Sequence, residues 1–317
     1  MADIDLKWGT WHYKEPLYSQ NGCIRFDYQI NSYGARDKER TKRSKEDNRV
    51  IVLGDSYMEG YGIPEAKRFS NLLEKKTGKE FLNFSCADHG TTQEFLVYKY
   101  LASEFDHSTI FIGFLPFNDF ENDDIHFLGD QKRYKPYFVK SDSGYVLEYN
   151  RANLEESDLN KDHYLQISNS FWGTITRILK GITCWYNIVD YFKNKKLQAA
   201  FFTHKKNKIV SNYYDYKPEQ VEKLKFILTQ LRKSAPDKTI IFSSIPVIPD
   251  IQRRAIDGEP PLPLEIANIC NSLSITYVDL LPHFYKLKDY RNFFFFCDPH
   301  WNEKANKYVY EIMLPYF

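Results

Sequence analysis

Two short segments near opposite ends of the chain carry side chains suited to nucleophilic chemistry. Gly54-Asp55-Ser56 follows the apolar run Val50-Ile51-Val52-Leu53, and Asp298-Pro299-His300-Trp301-Asn302 stands just ahead of the final amphipathic stretch. The first reads as a buried strand delivering a serine to a tight turn. The second supplies an imidazole with a carboxylate two residues before it. A hydroxyl nucleophile, a base and an acid that orients the base are the parts of acyl transfer through serine. Gly-Asp-Ser alone is common in turns, where Asp and Ser cap helices, so neither segment decides the matter by itself.

Positioning these groups falls to an alternation of β-rich runs and helical patterns. Strands are expected at 50–53, 81–84, 109–114, 239–244 and 275–278, with amphipathic helices around 67–77, 93–104, 218–234 and 262–274. Within 218–234, Val221, Leu224, Ile227, Leu228 and Leu231 share one helical face. A last helix is capped by Asn302, with Glu303 in its first turn and Ala305, Val309, Ile312 and Met313 facing inward. Such alternation implies a parallel sheet covered on both sides, with ligands gathering at the carboxyl ends of the strands. The expected strands lead there into Gly54-Asp55-Ser56, Ser85-Cys86-Ala87-Asp88-His89-Gly90 and Leu115-Pro116-Phe117-Asn118-Asp119, and Asp298-Pro299-His300 follows the last of them. Four distant pieces of sequence thus converge on one rim.

Between residues 119 and 216 the rhythm breaks. Asp119-Phe120-Glu121-Asn122-Asp123-Asp124 reads as an acidic, solvated loop, residues 134–149 as a β-hairpin, and the stretch holding Ile175, Ile178, Leu179, Ile182, Trp185, Ile188 and Val189 as helical. Neither flank is a Pro/Gly-rich linker, so 119–216 is expected to be a lid or cleft wall within one α/β domain spanning 49–317. Residues 1–48 form an extension packed on that core.

The bulk composition narrows the classes. A chain of 317 residues, 43% apolar and 27% charged, has the make-up of a globular protein with a sizeable core. Its net charge of +1 gives no field to recruit nucleic acid or an anionic membrane. No apolar stretch approaches the roughly 20 residues that span a bilayer. The chain as given reads as soluble, either cytoplasmic or the trimmed soluble part of an exported or anchored bacterial protein, and its oligomeric state is open. The five cysteines, Cys23, Cys86, Cys184, Cys270 and Cys297, match neither a disulfide framework nor a zinc site. His89, Asp88, His126 and the acidic run could be drawn together as a metal site on paper, but they lack tight ligand spacing, and no cofactor is expected.

In these four segments the chain resembles the SGNH (GDSL-type) hydrolase superfamily. Gly54-Asp55-Ser56, followed by Gly60 and Gly62, is similar to the first block of that family; Gly90 stands for the second-block glycine, Asn118 for the third-block asparagine, and Asp298 and His300 for the terminal acid and base. The resemblance implies an α/β fold, a flavodoxin-like three-layer α/β/α sandwich with a parallel sheet of about five strands plus the mid-chain insertion. It also implies an acyl esterase or acyltransferase. Ser56 would be the nucleophile, His300 the base and Asp298 its orienting acid, with the oxyanion held by the Ser56 and Gly90 backbone N–H groups and the Asn118 amide. Asn31-Ser32-Tyr33-Gly34-Ala35-Arg36 and the insertion further resemble bacterial members associated with surface polysaccharides. The implied substrate is a small acyl ester, foremost an O-acetyl group on carbohydrate. An O-acyltransferase with the same triad and a carbohydrate-binding or assembly protein of little turnover are the alternatives. The chain departs from the commonest terminal pattern, Asp-x-x-His, by having a single residue, Pro299, between acid and base. Gly90 is expected to be glycine so that backbone can approach substrate, and Asp55 to be structural.

Overall fold

The computed structural model describes residues 3–5, 7–11, 18–21, 24–27, 29–44, 48–126, 134–142, 144–150, 209–296 and 298–317. Ahead of the core, strands β1 (Asp3–Asp5) and β2 (Gly9–Trp11) pair antiparallel, as do β3 (Tyr18–Asn21) and β4 (Ile24–Asp27). The chain then enters a five-stranded sheet made of β5 (Val50–Gly54), β6 (Phe81–Asn83), β7 (Thr109–Phe114), β10 (Thr239–Ser244) and β11 (Thr276–Asp279). Every pairing in it is parallel, and the order across it is β11-β10-β7-β5-β6. The direction of winding therefore reverses between β5 and β7, the place where open α/β sheets form their ligand crevice. Between β7 and β10 lies the antiparallel hairpin β8 (Pro136–Ser141) and β9 (Gly144–Tyr149).

The alternation along the strands sorts two cores. Ile51, Leu53, Leu82, Ile110, Ile112, Ile240 and Phe242 face one side, against helices α3 (Thr91–Tyr100), α6 (Pro218–Ser234) and α8 (Leu262–Ser272). Trp8 and Trp11 of the N-terminal extension are buried in that same cluster, as is Phe138 of the hairpin. Val50, Val52, Phe81, Phe111, Ile241 and Val278 face the other side, against α2 (Phe69–Thr77), α7 (Ile248–Asp257), α9 (Leu281–Tyr285) and α10 (Glu303–Met313). Helices on both faces of a parallel sheet make a three-layer α/β/α sandwich.

Most expected elements stand where the pattern put them, with ends shifted by a residue or two, except that the helix expected at 93–104 runs Thr91–Tyr100 and gives way to a short 3₁₀ turn at Ala102–Glu104. The strands 109–114 and 239–244 and the helix 218–234 agree to the residue. Arg68 adopts extended backbone, so α2 starts at Phe69 after a short 3₁₀ turn. Ile312, expected to face inward, is only half-buried. One element differs in kind. The acidic run is no loop: α4 (Pro116–Asn122) takes most of it, with Pro116 preset at the helix start and the Asp119 carboxylate accepting the Leu115 N–H at 2.7 Å. Nor is it solvated, for Asp119, Asn122 and Asp123 are all buried. The helix expected around 175–189 lies outside the described residues. Beyond them the chain returns through α5 (Asn212–Asp215), anchored to α7 by Ser211 Oγ on Asp250 and by the Arg253–Asp215 ion pair. Cys86 and Cys270 are buried, while Cys23, Cys184 and Cys297 fall outside the described side chains.

A paired absence of side chains closes the sheet at the rim. Gly54 and Gly113 are register partners at the carboxyl ends of β5 and β7. Met58, on α1 (Ser56–Glu59), fills the space above both: a Cβ at Gly113 would come within 2.2 Å of its Sδ, and one at Gly54 within 2.3 Å of its Cγ. Gly113→Ala should therefore cost about 1–3 kcal/mol of overpacking. Adding Met58→Ala should restore part of it, measured as urea-unfolding free energies of the single and double variants; strictly additive losses would count against the contact.

Candidate active site

Ser56 opens α1 directly after β5, and Asp55 caps it, accepting the Tyr57 N–H at 2.9 Å. The turn is sharp because Gly54 takes φ +151°, a backbone region that side chains disfavour. Ser56 is left buried but reachable, 7% exposed. Its Oγ lies 2.8 Å from His300 Nε2 across 244 residues of chain.

The imidazole is held by its own neighbours. Asp298 Oδ1 accepts the His300 backbone N–H at 2.9 Å and also the ring Nδ1–H. With one residue between them, a single carboxylate oxygen fixes both the turn and the ring tautomer. The loop beneath is tied at both ends: Phe294 and Trp301 form a β-bridge, Phe295 N–H donates to the His300 carbonyl, and Asn302 Nδ2 donates to the carbonyls of Asn292 and Phe294. Asn302 also caps α10, its Oδ1 taking the N–H groups of Lys304 and Ala305. From the serine side, Tyr57 reaches over and donates its hydroxyl to the Pro299 carbonyl at 2.7 Å. Its ring is edge-on to Trp301 and 4.9 Å from the imidazole, which Tyr61 also approaches at 4.6 Å. Burial, with the charges of Asp55 and Asp298 close by, raises the Tyr57 phenol well above its usual range, so it remains a proton donor.

The three donors expected for an oxyanion differ in their partners. Among the described residues, the N–H groups of Ser56 and Gly90 have no hydrogen-bond acceptor. Asn118, on the first turn of α4, spends one Nδ2 proton on Asp55 Oδ2 at 3.1 Å and has a second to give. The reason for glycine at position 90 differs from the expected one. A Cβ there would meet Asn122 Cβ and Asp123 Oδ1, each at 2.9 Å, so what needs the space is α4 packing behind the loop.

That loop is pinned by groups the sequence did not announce. Glu59, fully buried at the end of α1, accepts the Ala87 N–H at 2.7 Å and so sets the 85–90 segment against the helix that carries Ser56. Asn122 Nδ2 donates to the His89 carbonyl, Asp123 accepts the Thr92 N–H, and buried Lys135 bridges the Asp88 carbonyl and Asn122. On the other flank Arg36 donates to the carbonyls of Glu59, Gly60 and Ile63, and Arg68 donates to those of Arg36 and Glu59. Two buried guanidinium groups thereby absorb the free carbonyls where α1 ends. Arg36 lay within a motif read from the sequence, but nothing in its spacing pointed to the serine turn.

Beneath the site sits a group of buried carboxyls. Desolvation raises Asp55 to about 6, against the pull of the Tyr57 N–H, His300 and Asn118. Burial first, and repulsion from the neighbouring acids second, hold Glu94 and Asp119 well above the usual carboxylate range. Glu94 lies on the inner side of the first turn of α3, where a polar residue reads in sequence as a solvated cap. Among the described residues no three His, Cys, Asp or Glu side chains are grouped to hold a metal ion, and no helix is long and apolar enough to cross a membrane.

The fold is a three-layer α/β/α sandwich around a five-stranded parallel sheet. No protein-family model matches the chain, and none of the curated proteins does. Solved structures are similar at low identity. The crystal structure of TesA is 10% identical, covering 84% of this chain and 97% of its own at a TM-score of 0.43. A GDSL-like lipase from Bacteroides thetaiotaomicron is 9% identical, with coverages of 87% and 91% and a TM-score of 0.41. A carbohydrate esterase family 2 enzyme with a carbohydrate-binding domain, from Corynascus thermopiles (Myceliophthora fergusii), is 9% identical, with coverages of 87% and 67% and a TM-score of 0.44.

Two outcomes follow from this geometry. Tyr57→Phe removes the hydroxyl from Pro299 while keeping the ring, and should slow acylation of Ser56 by about 5- to 10-fold, the worth of roughly 1 kcal/mol of hydrogen bonding. Stopped-flow labelling with a fluorophosphonate would show it, and an unchanged rate would remove Tyr57 from the positioning role. For Asp55, a native pKa near 6 against an unfolded value of about 3.9 means the folded state binds the proton more tightly. Its contribution to stability is full below about pH 4 and is lost as pH rises through 6, at no more than about 1.4 kcal/mol per pH unit. Asp55→Asn should flatten that part of the curve in urea melts taken across pH 4 to 7; an unaltered slope would mean that Asp55 does not titrate there.

Proposed function

We propose that the chain is a serine-dependent esterase that hydrolyses small O-acyl esters, foremost O-acetyl groups on carbohydrate. The observation that carries this reading is the 2.8 Å contact of Ser56 Oγ with His300 Nε2, together with Asp298 on the opposite ring nitrogen. With Nδ1 carrying the proton toward Asp298, Nε2 is the basic nitrogen and faces the hydroxyl. Ser56 Oγ attacks the ester carbonyl as His300 takes its proton, and the same imidazole returns the proton to the departing sugar oxygen. Asp298 stabilises the imidazolium in between. Water, activated by the same nitrogen, then attacks the acyl-serine and releases the acid. The developing oxyanion is held by the Ser56 and Gly90 N–H groups and the second Asn118 Nδ2 proton, donors fixed before reaction by helix starts and a buried loop.

The surroundings support a carbohydrate as the alcohol part. Tyr61 presents a half-buried ring tilted against His300, and Phe296, on the loop that carries the base, is 99% exposed. Flat, rigid rings of this kind suit the apolar face of a sugar.

Purified protein should release acid from an aryl acetate and from an O-acetylated oligosaccharide. Ser56→Ala and His300→Ala should each lower turnover on the order of 10⁶-fold, and Asn118→Ala about 10²–10³-fold. Equal rates for wild type and Ser56→Ala would sink the serine mechanism. Supplying an acyl donor with unmodified oligosaccharide gives a further check: acylated sugar formed in preference to free acetate would replace hydrolysis by transfer.

A further inference from the structure

Helices α2 and α10 lie side by side and run in the same direction. The Phe69 N–H at the start of α2 donates to Asn306 in α10, and Lys79, just past the end of α2, reaches the Phe317 carbonyl beyond α10. Both helices begin at the rim that carries the site. Lys304, in the first turn of α10, is four residues from His300, at most about 14 Å of chain.

Between them is a groove of about 490 Å³ lined by Lys67, Lys75, Lys76, Lys304 and Lys307, with Leu72, Glu303 and Tyr310 in the same wall. All five lysines are exposed. Their counter-ions are few and loose: Glu303 lies 3.8 Å from Lys67, and Glu311 lies 4.0 Å from Lys307, both pairs in solvent where such contacts contribute little. Among the described residues no acid pairs with Lys75, Lys76 or Lys304. In a chain of net charge +1, this local excess of one sign is not the general state of the surface. It makes a concave positive track whose rim end, at Lys304, lies within about 14 Å of chain from His300.

The lining also selects among anions. None of the large apolar side chains exposed on the described surface, such as Val146, Ile256, Leu264 or Phe296, lines this groove. A membrane-binding face pairs its lysines with protruding apolar side chains that enter the bilayer, whereas the aliphatic side chain in this lining, Leu72, is half-buried. Tyr310 supplies the groove with a ring face instead. Given the esterase reading above, on which this inference rests, a polymer whose ester sits at Ser56 is led straight into the track.

We propose that the groove between α2 and α10 binds an anionic stretch of the carbohydrate substrate, a run of carboxylate-bearing sugars, while an O-acyl group of the same polymer occupies the Ser56 site. Binding is therefore strongest at low salt and selective for acidic over neutral polysaccharide.

The test uses Ser56→Ala protein, which holds the polymer without cleaving it. Anisotropy of fluorescein-labelled polygalacturonate is compared with that of labelled dextran of equal length, at low and at raised salt. The expected result is preference for polygalacturonate, weakened by salt. In the same background, Lys75→Glu, Lys76→Glu and Lys307→Glu combined should lower the affinity about 10-fold or more. These positions are exposed, and an unchanged thermal melt checks that the fold is intact. Equal affinity in the charge-reversed protein overturns the proposal. So does equal binding of dextran, or tighter binding of phosphatidylserine vesicles or a single-stranded oligonucleotide than of polygalacturonate. Aryl acetate turnover by protein retaining Ser56 reports separately: its absence sinks the esterase reading, while the anisotropy comparison still judges the groove.

Discussion

The site depends on two glycines that face each other across the sheet. Gly54 and Gly113 end neighbouring parallel strands with no side chain on either, and Met58 occupies the room they leave. Because of that seat, α1 folds tightly over the strand ends instead of standing away from them. Ser56 then emerges at the reversal of strand order, next to the helix that carries Asn118. Asp55 joins the two by accepting from the Tyr57 N–H on one side and from Asn118 on the other. Any side chain at either glycine would lift the turn and separate these parts.

This closeness has a cost, since it removes charged and polar groups from water. Asp55, Glu94 and Asp119 lie together in the interior, and Arg36 and Arg68 are wholly buried where α1 ends. The two guanidinium groups are answered by backbone carbonyls, and the acids respond by holding their protons more tightly. The result is a rim whose polar groups are committed before substrate arrives, which is what electrostatic preorganisation requires.

How much of this could be read from the chain follows from the kind of signal each part leaves. Buried strands such as 109–114 and 239–244 are short β-rich segments centred on apolar residues, with clear ends, so the rim and the segments arriving at it were legible. Ser56 and His300 were legible as side chains at those ends. Helix α4 was not, because Asp119-Phe120-Glu121-Asn122-Asp123-Asp124 has the composition of a solvated loop; only the neighbours of Asp119 and Asp123 show why acids are tolerated inside. Glu59, Lys135 and Arg36 were missed because their partners are mostly backbone groups far away in sequence, and Glu94 because an acid in the first turn of a helix reads as a solvated cap. Gly90 was expected to be glycine, but on the wrong face, since a sequence does not tell which neighbour needs the room.

The pairing of Asp298 with His300 inside one tripeptide has a further meaning. A site assembled from three separately anchored side chains must keep three positions in register at once. Here the acid and base travel as a single unit, since the same carboxylate oxygen binds the backbone and ring of its neighbour two residues on. Alignment reduces to placing one rigid piece opposite one serine, with Tyr57 as the strut between them. Drift in the length or shape of the intervening chain, including the whole stretch between β7 and β10, leaves the acid–base geometry untouched. Such an arrangement lets the middle of the protein vary in what it admits while the reacting end stays the same.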